Sequence, residues 1–305
     1  MIKVSVLMLV YNHEKYIEQA LQSILMQKTN FQYEIVIGED CSKDKSREII
    51  EKYEKMYPKV IKLIKHSKNI GPALNFMSAY KACIGEYIAM IEGDDFWVTD
   101  DKLQKQVDFL DSNIGYSGCF TNANVIYEES PEDNELFIKK IKKNHFSTND
   151  LLIKNVIPNL TTLARRSIVQ EFPEWYSKLF IGDWPLHIMR SKYGEWSYID
   201  DVTSTYRKHI GGISNKSGTP IWYNNIISMY ININNFLDCK YDKIIRKQLA
   251  KYYAYQSMAY MKINDFKEAK KCYFESYNYS IIDKYSLYVR SKCMAYYILK
   301  ILHLK

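Results

Sequence analysis

The chain has 305 residues, 47% of them hydrophobic and 25% charged, a composition that argues against disorder and supplies one large core or two domains. Its net charge of +7 is unevenly placed: the last 70 residues hold 14 Lys and Arg against 6 Asp and Glu, whereas the first 235 hold 28 against 29. Basic residues are thus not interleaved through the body, which argues against nucleic-acid binding, and the basic tail favours an anionic surface such as a phospholipid leaflet.

Six cysteines at 41, 83, 119, 239, 272 and 293 make no CxxC pair and no zinc spacing, so they read as reduced thiols. The apolar run before Tyr11 is too short for a signal segment or a bilayer span. The expectation is a cytoplasmic protein, at most peripheral at the inner membrane face.

From the N-terminus, strand and helix signals alternate. "KVSVLMLVY" is a β-branched, nearly continuous apolar run of the kind buried on both faces of a parallel sheet. Asn12 can cap the helix that follows, where Ile17, Leu21, Ile24 and Leu25 recur at helical spacing. "YEIVIGED" is a second strand, and the next helix starts at Ser42 or Asp44 and stops near Pro58. "VIKLIKH" is a third strand, followed by a helix with Pro72 in its first turn. "EYIAMI" is a fourth and runs into Glu92, Asp94 and Asp95. This alternation predicts an α/β sheet with helices on both faces.

In such sheets ligands sit beyond the carboxyl ends of the strands. Polar clusters fall at those ends: Tyr11-Asn12-His13, Glu39-Asp40-Cys41-Ser42 and Glu92-Gly93-Asp94-Asp95. A dinucleotide fold needs GxGxxG after its first strand, and "YNHEKYIE" has no glycine there; a Walker A sequence is also missing. A crevice of carboxylates repels pyrophosphate unless a divalent cation mediates, so the triplet suggests half of a metal–diphosphate site for Mg2+ or Mn2+. The same acids could instead cap the helix beginning near Asp100, where Asp100-Asp101 are expected to serve as the cap.

The blocks "VSVLMLVYNHEKYIEQALQSILMQ", "YEIVIGEDCSKDKS", "HSKNIGPALNFMSAYKACIGEYIAMIEGDDFW" and "GDWPLHIMRSKYGEWSYIDDVTSTYRKHIGGIS" cover about two thirds of the chain. In this order they resemble a family 2 glycosyltransferase of GT-A fold, an inverting, nucleotide-sugar-dependent enzyme. The resemblance implies a catalytic domain over 1–220, with a nucleotide half (1–115) and an acceptor half (116–220), and a helical region over 221–305. It places Tyr11 and Glu14 near the nucleotide and has Asp40 read the base, with Glu39 where the family usually has a first Asp. It assigns the metal to Glu92, Asp94 and Asp95, leaving open whether Asp94 or Asp95 binds the ion and which meets the ribose. It makes Asp183 the catalytic base. Arg207 and His209 would line the diphosphate on a mobile loop with Gly211-Gly212, and His209 could also reach the metal.

On the acceptor side the resemblance places Asn159, Thr161, Thr162 and Trp184, although a patterned strand start explains the threonines equally well. "SNKSGTPIWYNN" lacks the QxxRW-like element of processive members, so one sugar per encounter is expected. The implied donor is a UDP-sugar or another nucleoside diphosphate sugar, and the acceptor a surface glycan or lipid-linked saccharide. A metal-dependent nucleotidyltransferase, or a binding scaffold built on the tail, are the alternatives.

That tail contains "AYMKINDFKEAKKCYFESY", which resembles a tetratricopeptide-type helical hairpin with "NDF" as its turn. One such repeat cannot bury its own apolar face, so it should pack on the body or on a second copy as a homodimer. The last helix, from Lys284, mixes Leu, Ile and Tyr with Lys and Arg, and suits either a core or dimer helix or a lipid surface.

Overall fold

The computed structural model describes residues 1–212 and 216–279, then 287–288, 290–295 and 298. It divides into two compact units, Met1–Leu151 with Asn155–His209, and Leu152–Lys154 with Ile210–Lys305.

In the first unit the expected alternation is present. Strand β1 (Ile2–Val10) leads to α1 (Ile17–Leu25), β2 (Gln32–Glu39), α2 (Ser46–Met56), β3 (Ile61–Lys65), α3 (Pro72–Ala82) and β4 (Tyr87–Glu92). These four strands are parallel in the order β3-β2-β1-β4, so the chain reverses its winding direction at β1. Both faces of β1 are covered, and Val4, Val6, Leu7 and Met8 are fully buried, which explains the unbroken apolar run. Helix α1 turns Ile17, Ala20, Leu21 and Ile24 inward onto this sheet.

Beyond β4 the sheet becomes mixed. Strand β5 (Phe96–Trp97) is followed by α4 (Lys102–Ser112), the long β6 (Tyr116–Tyr127), β7 (Glu135–Leu136), β8 (His145–Phe146), α5 (Thr148–Ile153), β9 (Leu163–Arg165), α6 (Asp183–Ser191) and β10 (Glu195–Lys208). The order continues β4-β9-β6-β10-β5, with β9 antiparallel to both neighbours and β6 parallel to β10. Arg165 pins β9 there, its guanidinium donating to the carbonyls of Tyr116 and Leu110.

Two caps differ from expectation. Asp101 stands before α4 without a side-chain cap bond; Asp100 pairs with Lys28 and Asp101 with Lys105 instead. Asn12 does not cap α1, which begins five residues later; it takes a left-handed conformation (φ 59°) and its Oδ1 accepts from Lys43 N–H at 2.8 Å.

The second unit is helical: α7 (Pro220–Phe236), α8 (Asp242–Lys262) and α9 (Phe266–Tyr279). Thr219 caps α7 by accepting from Trp222 N–H. Helices α8 and α9 form an antiparallel hairpin, since Arg246 reaches the Asn278 carbonyl at one end and Ser257 the Ala269 carbonyl nearer the other. The turn falls at "NDF", with Asn264 at φ 62°. Ala254, Met261, Ala269 and Cys293 form a small buried cluster in this unit. Most of the expected last helix lies outside the described residues, and no described helix is long and apolar enough to cross a membrane.

Candidate active site

The site forms where β1, β2 and β4 end. Leu9 pairs with Glu92, and Val10 with Glu39, so the three polar clusters leave the sheet side by side. Gly93 N–H donates to the Leu9 carbonyl, and Asp95 N–H to the Glu92 carbonyl, which folds the acidic triplet into a tight turn before β5. A Cβ on Gly93 would stand 2.8 Å from His13 Nδ1 and 2.9 Å from a Val10 methyl, so the glycine is what lets the first loop close on the acids.

The first two loops are laced together. His13 N–H donates to Ser46 Oγ and Glu14 N–H to Asp44, while Glu14 accepts from Lys45 N–H. Tyr11 stays exposed at the rim, and the Glu14 carboxylate is thus spent on the start of α2. Asp40 is 2% exposed, and its two oxygens accept from Ile70 and Gly71 N–H at 2.7 and 2.9 Å. It organises the loop that opens α3. The buried Glu39 pairs with Arg47 and accepts from Ser42 N–H.

The three acids of the turn have separate environments. Asp94 Oδ2 lies 3.0 Å from His209 Nε2 and 3.7 Å from His13 Nε2. Burial works against its charge, and the two imidazoles outweigh burial, so its carboxyl sits below the ordinary range. The hydrogen bond it donates to Asp94 raises His209, whereas burial lowers His13 despite the same neighbour. Asp95 faces inward: it is 2% exposed and its Oδ1 accepts from Arg207 N–H at 2.8 Å. Burial, Asp94 and Glu92 push it well above the ordinary value. Glu92 is pushed up to about 8, first by burial, then by Asp94 and Asp183, against a 2.7 Å hydrogen bond from Asn159 Nδ2.

Asp183 opens α6 and is close enough to Glu92 to oppose its charge. Asn155 Nδ2 donates to it at 3.3 Å, and burial raises its carboxyl above the ordinary value. Asn155 and Asn159 are four residues apart on one segment, and each holds one of the two carboxylates.

Several expected site residues are placed elsewhere. Arg207 is committed: Nε donates to the Asp94 carbonyl, Nη2 to Gln19, Nη1 to Glu128, and the guanidinium stacks between the Tyr16 and Phe96 rings. It straps β10 to α1 and to the acidic turn. Thr161 and Thr162 are buried and spend their hydroxyls on the Pro158 and Asn159 carbonyls, as a strand start does. Trp184 is 6% exposed, with Nε1 donating to the Leu151 carbonyl, so it is a core residue under the site. Asn155 and His13 were not singled out from sequence, although His13 stood inside the first polar cluster.

The model of the family described as "Glycosyl transferase family 2" matches residues 5–172, more than half of the chain. The chain belongs to glycosyltransferase family 2. An uncharacterised protein of Mycobacterium tuberculosis, Rv1520, is 34% identical over 209 residues, covering 68% of this chain and 60% of that protein. The chain therefore spans about 60% of the length of such curated relatives. The poly(ribitol-phosphate) β-N-acetylglucosaminyltransferase TarS of Staphylococcus aureus is 36% identical over 117 residues, 37% of this chain and 20% of TarS. A structure of TarS 1-349 in complex with UDP-GlcNAc covers 91% of this chain and 92% of its own, with a TM-score of 0.61 and 18% identity. The mannosyltransferase PcManGT of Pyrobaculum calidifontis, in complex with GDP-Man and Mn2+, covers 99% and 88%, with a TM-score of 0.58 and 13% identity. At those identities the structural likeness is one of fold, and this family 2 chain has the mixed α/β sheet of the GT-A class with a helical C-terminal region.

The donor set suits a divalent cation held jointly with a ligand. Among the described residues no three of His, Cys, Asp and Glu converge on one point. Asp94 and His209 do share one, and carboxylate oxygen with imidazole nitrogen is a set that Mn2+ accepts more readily than Mg2+. Such ions are commonly held by one or two side chains, the remaining positions going to water and substrate phosphates. Burial first, and then the neighbouring carboxylates, push Glu92 and Asp95 above their ordinary values, a repulsion that a bound cation would relieve.

Proposed function

We propose that this chain transfers one sugar from a nucleoside diphosphate sugar, a UDP-sugar, to a hydroxyl of a surface glycan or its lipid-linked precursor, with inversion at the anomeric carbon. What supports this reading is one arrangement: Asp94, flanked by two imidazoles, and Asp183, hydrogen-bonded to Asn155, both lie close enough to Glu92 to oppose its charge. Asp94 and His209 would hold the cation, with Glu92 within reach once ionised. When bound, that ion neutralises the diphosphate and stabilises it as it departs.

The remaining work falls to side chains. The acceptor oxygen attacks the anomeric carbon, Asp183 takes the proton from that oxygen, and the bond from the sugar to the diphosphate breaks. The raised carboxyl of Asp183 strengthens it as a base, and the Asn155 amide, which can only donate from nitrogen, keeps the charged form accessible. Asp95 and Arg207 position the turn: a buried acceptor below it and a stacked guanidinium strap beside it hold Asp94 toward the cleft. Asp40 shapes the base pocket by fixing the backbone at Ile70-Gly71 and offers its remaining lone pairs there.

Calorimetric titration with UDP, with and without Mn2+, tests the reading. Metal-dependent binding that disappears in Asp94→Asn is the expected result. If UDP, GDP, CMP and dTDP all fail to bind with Mn2+ present, the transferase reading gives way to a binding scaffold.

A further inference from the structure

Helix α6 carries Asp183 on its first turn and two further polar side chains, His187 and Arg190, that the proposed transfer does not use. Both are 0% exposed. None of Nε, Nη1 and Nη2 of Arg190, and neither ring nitrogen of His187, has a hydrogen-bond partner. No ion pair reaches Arg190 among the described residues.

Both side chains lie against one indole. The His187 ring packs edge-on against Trp196 at 4.9 Å between centroids, and the Arg190 guanidinium carbon lies 6.0 Å from the same ring. Trp196 Nε1 is already used, donating to the His187 carbonyl at 3.1 Å. A guanidinium does not lose its proton in a protein, so this is a permanent positive charge in the interior. The indole face and the negative end of α6 return at most about 2 kcal/mol each, well short of the cost of an uncompensated buried ion. His187 supplies no counter-charge, since burial and then Arg190 hold it neutral. Water would satisfy the N–H groups and leave the charge uncompensated.

We propose that Arg190 and one N–H of His187, beneath Trp196, form a closed site for a single small monovalent anion of the halide class. The observation favours a halide over a phosphate or carboxylate because every nitrogen is fully buried, which suits a one-atom ligand. Bound there, the anion would fasten the last turn of α6 to β10 independently of any role for Asp183.

The test uses the full chain. Wild-type protein is melted in sodium chloride and in sodium gluconate at equal ionic strength, and crystals grown in bromide are measured at the bromine absorption edge. Expected are an anomalous peak beside the Arg190 guanidinium and a Tm that rises by about 3 °C for each tenfold rise in chloride above the Kd. That increment should vanish in Arg190→Met. The proposal is overturned if the Tm is indifferent to chloride, if the chloride increment survives in Arg190→Met, or if the density beside Arg190 carries no anomalous signal. Should Arg190→Met fail to fold, the bromide experiment on wild-type protein decides alone.

Discussion

Replacing Glu92 by Gln should make the metal-free protein more stable while abolishing its metal-dependent donor binding. Burial, Asp94 and Asp183 all oppose the charge of Glu92 and push it up to about 8. At pH 7 the folded state keeps that proton while the unfolded chain gives it up near 4.5, which withholds about 3 kcal/mol from folding. Solvent in the cleft reduces this, and about 2 kcal/mol is the working figure. Gln keeps the oxygen that accepts from Asn159 and never ionises in either state, so the deficit disappears. For a carboxyl raised on folding, the stabilisation is complete below the unfolded value and is lost as pH climbs through the folded one. The Tm of Glu92→Gln minus that of wild type should therefore be near zero at pH 4, grow between 4.5 and 8, and reach roughly 4–6 °C. Scanning calorimetry across that range, in chelator, reads it directly. A difference that stays flat with pH, or a variant that melts lower than wild type at pH 8, would refute the electrostatic account of the turn. With Mn2+ and UDP added the order should reverse, because only wild type gains ligand stabilisation.

The other predictions separate chemistry from architecture. Asp183→Asn should lower kcat by roughly 10²–10⁴ with the UDP Kd unchanged, measured by steady-state turnover and calorimetry. Asn155→Ala removes a donor that favours the charged carboxylate, so the acid limb of the kcat/KM profile should move to higher pH, whereas loss of folding alone would leave the limb in place. Arg207→Lys keeps the charge but loses the fork that reaches Asp94, Gln19 and Glu128, and the Tm should fall by about 2–4 °C with weaker donor binding. Trp184→Phe deletes one buried hydrogen bond, costing about 1 kcal/mol in denaturant melts, and should leave the acceptor KM unchanged.

The parallel half of the sheet was legible because its strands are buried on both faces and its helices are long enough to show a 3.6-residue period. Strands β5, β7, β8 and β9 are two or three residues long, shorter than any window in which alternation can be seen, and pairing alone defines them. The same limit applies to Thr161 and Thr162: polar residues before a strand look alike whether they face a substrate or close a turn. Asn155 carries no local signal, since an amide becomes a site residue only through the carboxylate that the fold brings to it.

The choice between Asp94 and Asp95 shows where local pattern ends. Two adjacent acids in a turn point to different sides, and spacing identifies the pair without saying which side is the cleft. The side is set at the end of β10: the backbone N–H of Arg207 takes Asp95 from 112 residues away, and His209, just past the strand, takes Asp94. Side chains alternate along a strand, and Lys208, the last residue of β10, turns away to Tyr127. The end of β10 and the residue after it thus hold Asp95 in the interior, strap the turn with a guanidinium and offer an imidazole to Asp94. The pairing of Asp94 with His209 is a consequence of β10 register, so a one-residue slip of that strand would carry His209 away and leave the acid without its imidazole partner.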